Sequence, residues 1–162
     1  MRKGRKKLNQ AGMSLVELIV VILIIGILSA GSGIGMVYVS RMNASSAAEK
    51  LVSTLEKTRL LTISSSETVK MELIYEDNNY YARILQGGVE TEREKLGNGG
   101  LTITVRDSGG GSTTVDTTTC EFSYKKSNGA FETSCLYNRV EIEGSKSNAV
   151  CLVRATGRCY VE

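Results

Sequence analysis

Four cysteines and one isolated carboxylate are the side chains whose type and spacing could carry chemistry in this 162-residue chain. Cys120, Cys135, Cys151 and Cys159 include no C-x-x-C pair, and the sequence has no His. Structural zinc sets draw on both features, so no metal site is expected. In an oxidising compartment an even number of cysteines points to disulfides, and four cysteines permit three connectivities. Spacing favours local pairs: Cys120 and Cys135 flank Asn128-Gly129, and Cys151 and Cys159 flank Thr156-Gly157. Each bridge would staple a hairpin and contribute about 2–4 kcal/mol.

Catalytic groupings are missing from the sequence. Without His, the commonest general base at neutral pH is unavailable. There is no P-loop, dinucleotide fingerprint, H-E-x-x-H, calcium loop or G-x-S-x-G elbow. Glu90, Glu92 and Glu94 read as a solvated strand or loop, and Gly109-Gly110-Gly111 lacks the strand-to-helix setting of an anion nest. The chain is therefore expected not to be an enzyme and to need no cofactor.

The isolated carboxylate is Glu17, the only charge between Met13 and Val39. Leu18 to Val39 would span roughly 33 Å as a helix, enough for a hydrocarbon core of about 30 Å. Ahead of it, Arg2, Lys3, Arg5, Lys6 and Lys7 form a basic flank without an acid. Such a flank holds that end in the cytoplasm and places residues after 40 outside. Removing residues 1–12 takes these five charges and turns the net charge of +3 into −2. Bulk charge thus gives no argument for nucleic-acid binding.

A secretory signal peptide cut at Ser29-Ala30-Gly31 and an uncut signal anchor would both account for the apolar run. Neither explains Glu17, since a carboxylate at a helix centre in lipid costs about 2.5–3.5 kcal/mol, and less near an interface. Residues 11–30, AGMSLVELIVVILIIGILSA, closely resemble the prepilin signature of type IV pilins and type II secretion pseudopilins. That signature joins a short basic leader ending in Gly to an apolar helix whose fifth mature residue is Glu. Gly12, Met13 and Glu17 occupy those positions, with Met13 and Ser14 replacing the commoner Phe and Thr.

The resemblance implies that a prepilin peptidase cuts between Gly12 and Met13 on the cytoplasmic side and N-methylates Met13. The new amine can then neutralise Glu17 of its own chain or of a neighbour, offsetting part of two desolvation costs. Gly26, Gly31 and Gly35 lie further along. Gly31 and Gly35 form a G-x-x-x-G pair that permits close helix packing. Each Gly also weakens the helix by about 0.5–1 kcal/mol. Many major pilins carry Pro in this region, whereas this chain has none, so glycine could serve as the packing or melting point.

The remainder reads as a soluble helix and then strands. Over 40–66, Ala44, Ala47, Ala48, Leu51, Val52 and Leu55 form an apolar stripe at helical spacing. After Ser66 the period becomes two: Val69, Met71 and Leu73 alternate, a turn follows at 76–79, and Leu101, Ile103 and Val105 alternate again. Further strands are predicted around 119–125, 130–136, 139–143, 149–154 and 158–161, with a loop over 107–119. The expected fold class is α+β. A long N-terminal helix, half transmembrane and half amphipathic, packs on a mostly antiparallel, β-rich head in the pilin manner. The expected divisions are a removed leader over 1–12, a transmembrane and polymerisation helix over 13–39, its amphipathic continuation over 40–66, and the head over 67–162.

This layout, closing on Gly157-Arg158, resembles the GspH/FimT group of minor pseudopilins. The expectation is a structural subunit, a minor pilin or pseudopilin, of a type IV pilus, competence pilus or type II secretion pseudopilus. Its partners would be the peptidase, other pilin subunits, a membrane-embedded assembly platform and, before assembly, membrane lipid. It would begin as a single-pass cytoplasmic (inner) membrane protein with its head outside, then join a filament on the cell surface or in the periplasm. Two alternatives stay open. One is DNA capture through Arg154 and Arg158, with Lys146 and Arg139 nearby; the other is a conventionally secreted or anchored β-domain.

Overall fold

A computed structural model describes residues 15–144 and 146–162, with the backbone alone for residues 26–43. The helix α1 covers Leu15–Ser64. Nine strands follow: β1 Val69–Glu76, β2 Asn79–Gln86, β3 Val89–Asn98, β4 Thr102–Asp107, β5 Ser112–Thr114, β6 Cys120–Ser123, β7 Tyr137–Glu143, β8 Ser147–Val153 and β9 Arg158–Val161. The class is α+β, as the periodicity indicated. The chain divides into two compact units, one ending at Met36 and the other running Val37–Glu162.

Two antiparallel sheets form the second unit, in the orders β3-β2-β1-β6 and β5-β4-β7-β8-β9. Alternation sets which side chains face inward. Met71 lies opposite Ile84 and Phe122, and Leu73 opposite Ala82 and Cys120; all six are buried. In the other sheet Ile103 lies opposite Ile142, Val105 opposite Val140, and Val140 opposite Val150. Apart from Ile84, these residues share one apolar core with Ala44, Ala47, Ala48, Leu51 and Leu55 of α1, each of them fully buried. The stripe foreseen on the helix is therefore core.

The stripe also extends further than its apolar residues. Thr54, Thr58 and Thr62 continue it at intervals of four and are buried. Each hydroxyl donates to the carbonyl four residues back, on Lys50, Thr54 and Thr58, at 2.7–2.8 Å. A buried hydroxyl satisfied this way avoids the cost of an orphaned polar group.

Charge, rather than apolar packing, covers the outer face of the first sheet. Lys70 pairs with Glu121 at 2.7 Å and Glu72 at 3.0 Å, and Glu72 pairs with Arg83 at 2.7 Å. Arg83, Glu90, Arg93 and Glu76 extend the lattice to β3. Glu92 and Glu94 on that edge strand meet Lys57 and Lys50 of α1 at 2.5 and 2.9 Å. The acidic segment is thus a strand whose edge is clasped by the helix, which also protects it from pairing with another chain.

Two expected elements differ. Residues 130–136 form no strand and contribute only the bridge Tyr124–Phe131. Lys125 N–H donates to Ala130 O and Cys135 N–H to Glu132 O, so the backbone there is spent on turns. The loop over 107–119 in turn holds the short strand β5, paired to β4 through Thr104–Thr114.

A three-way junction ties α1 to two turns. Gly129 and Gly157 have φ of +66° and +67°, a region that L side chains avoid. Arg59 Nε donates to Gly129 O at 2.9 Å, and a Cβ on Gly157 would overlap that same carbonyl. The Asn128-Gly129 and Thr156-Gly157 turn signals therefore mark one packed site.

Candidate functional site

In the first unit, Leu15, Val16 and Leu18–Ile25 are all exposed, from 44% for Val21 to 75% for Leu15. A continuous apolar surface of this kind marks an interaction site for another apolar phase. Glu17 is exposed among them and lies in the first turn of α1. Gly12, Met13 and the rest of the leader lie outside the described residues. Gly26, Gly31 and Gly35 fall within α1 where only the backbone is described. Among the described residues no helix is long and apolar enough to cross a membrane. The side chains described in the expected span stop at Ile25, well short of Val39.

All four cysteines are free thiols, so the expected disulfides are not formed. For Cys151 and Cys159 the reason is register. Cys151 stands opposite Tyr160 and Cys159 opposite Leu152. Positions one residue out of step point to opposite faces of a sheet, so flanking a turn does not bring these sulfurs together. Cys159 is buried and its Sγ lies 4.0 Å from Tyr124 Oη. Cys151 is on the outer face, 3.8 Å from Arg139 Nη1. Cys120 and Cys135 are both buried. Cys120 is hydrogen-bonded to the Tyr137 side chain, and Cys135 to the backbone of Tyr137 and Ser123. Burial pushes all three interior thiols up, Cys159 to about 12. They stay protonated and unreactive at neutral pH. Among the described residues no group of three or more His, Cys, Asp or Glu is placed to hold a metal ion.

Arg154 and Arg158 bracket the β8–β9 turn but diverge. Arg154 Nη1 donates to Ser108 Oγ at 3.3 Å, and its Nε is buried without a hydrogen-bond partner. Arg158 lines an open groove with Glu56 and Arg59 of α1. Arg139 is neutralised by Glu162 at 2.5 Å and Glu141 at 3.4 Å, and Glu141 also takes Arg106 at 2.7 Å. Arg139 and Arg158 share the outer face of the second sheet, but Arg139 is spent on Glu162 and Glu141 while Arg154 turns to Ser108; Lys146 is exposed.

Sequence reasoning missed Glu72 and Arg59. Glu72 was one polar position in an alternating strand. Its meaning came from Arg83 and Lys70, which the sheet register supplies. Arg59 carries no local signal on the helix, and only the long-range Gly129 contact assigns it a place.

No curated protein and no solved structure matches the chain. A family model, the prokaryotic N-terminal methylation motif, matches residues 7–33. Those residues include Gly12, Met13, Glu17 and the whole exposed run from Leu15 to Ile25. The chain thus carries the prepilin methylation signature, which supports a type IV pilin-like or pseudopilin subunit processed by prepilin peptidase.

Proposed function

We propose that this chain is a minor structural subunit of a type IV pilus, competence pilus or type II secretion pseudopilus, and not an enzyme. The observation that carries the reading is the coincidence of the methylation motif with an exposed apolar helix holding one carboxylate. Cleavage after Gly12 removes the basic leader and frees an amine at Met13. Residues 18–39 hold the subunit in the cytoplasmic membrane until its apolar side chains exchange lipid for neighbouring helices. Glu17 costs little in that setting once an amine from its own or an adjacent subunit neutralises it. The mostly antiparallel head then stands outside the membrane as the exposed part of the filament.

We favour this reading over DNA capture, which depends on several cations facing the same phosphates, because Arg154 turns to Ser108, Arg158 lines a groove beside α1 and Arg139 is ion-paired to Glu162 and Glu141. An epitope-tagged chain expressed in its native host tests the proposal. It should appear in sheared filaments, at lower abundance than the major subunit, and only when prepilin peptidase is present. Tag confined to the membrane in both strains would refute it.

A further inference from the structure

Among the described residues, strand β9 is paired on one side only, by β8. Glu162 N–H donates to Ala149 O at 2.8 Å, which fixes the alternation of the antiparallel ladder. Arg158, Tyr160 and Glu162 direct their backbone groups toward β8. Cys159 and Val161 therefore direct theirs outward, to the free edge. Other sheet edges have protection: β3 is clasped by Lys50 and Lys57, β5 has three residues, and Glu132 N–H caps β6 at Ser123 O. The β8–β9 pairing has no bulge, and β9 carries no Pro. Tyr160 and Val161 are 54% and 38% exposed, beside a groove of about 700 Å³ between α1 and β9.

We propose that this edge pairs with the same edge of a second copy of the chain, antiparallel and centred on Tyr160. The sequence Arg158-Cys159-Tyr160-Val161-Glu162 is self-complementary in that register. Cys159 faces Val161 of the second copy, and each such pair exchanges both of its N–H···O bonds. Tyr160 meets Tyr160 of the second copy, and Arg158 meets its Glu162 on the same face. Other registers lose these matches. A slip of one residue turns the outward backbone groups away from each other, and centring on Cys159 or Val161 leaves a charged end without its partner. Arg158 has no ion-pair partner among the described residues, while Glu162 meets Arg139 and Cys151 through Oε2. A two-fold contact closes on two copies and does not propagate, so it is distinct from the helix-mediated contact that builds a filament.

The test uses full-length chain in detergent, with Cys151→Ser removing the half-buried thiol on the outer face, the least buried of the four. Tyr160→Cys places sulfurs across a non-hydrogen-bonded pair, where side chains approach closest. Mild oxidation should give a covalent dimer at least about tenfold faster than Thr102→Cys, on the outer face of the same sheet, because pairing raises the effective concentration. Arg158→Glu should abolish that advantage, and adding Glu162→Arg should restore it. No dimer, equal dimer from both positions, an adduct whose mass is not twice the chain's, or failure of the double charge swap to restore crosslinking would each overturn the proposal.

Discussion

Cys151 and Cys159 flank one turn yet face opposite sides of their sheet, because Cys151 pairs with Tyr160 and Cys159 with Leu152. The outward thiol should be labelled by a maleimide in the native chain, while Cys120, Cys135 and Cys159 should react only on unfolding. Mass mapping of labelled peptides checks this. A recovered Cys151–Cys159 disulfide peptide from native material would mean the β8–β9 register is wrong.

Gly157 is the most constrained turn residue. Its φ of +67° and the carbonyl of Gly129 leave no room for a side chain. Gly157→Ala should cost about 1–3 kcal/mol from the backbone conformation alone, and more from displacing the Arg59–Gly129 contact. Chemical denaturation of the full chain gives the value; a loss below a few tenths would show that the junction is not formed.

Glu72 gives the head an acid-sensitive element. Burial pushes its carboxyl up, but hydrogen bonds from Arg83 and Lys70 outweigh burial and hold it below 4.5. A carboxylate depressed in the folded state stabilises fully above its unfolded value. The contribution is lost as pH falls through the lower, folded value. Glu72→Gln should therefore cost about 1–3 kcal/mol at neutral pH and flatten the stability profile below pH 4.5. An unchanged acid limb would remove Glu72 from the account.

Glu17→Val should leave leader cleavage intact and abolish filament incorporation, since the change keeps the apolar helix and removes only the carboxylate proposed to neutralise the Met13 amine. Immunoblots of membrane and sheared fractions read both effects. Normal incorporation of the variant would show that the carboxylate has no assembly role.

What could be read from the sequence followed how local each signal was. The α1 stripe and the strands around Met71, Ile103 and Val140 are set by period, and turns by Asn-Gly and Thr-Gly pairs. Glu90, Glu92 and Glu94 left β3 open between strand and loop because its partners on α1, Lys50 and Lys57, are distant in sequence. Thr54, Thr58 and Thr62 counted as polar although their hydroxyls are satisfied within the helix. For Cys151 and Cys159 the disulfide expectation failed for a related reason: turn proximity was visible, but the face each of the two takes depends on the pairing of β8 with β9.

The most direct measurement is the mass and N-terminal sequence of the polypeptide purified from its native host. The account predicts a chain beginning at residue 13, carrying one methyl group on the amine of Met13. A chain that keeps its basic leader, or one that starts beyond Ser29, would contradict it.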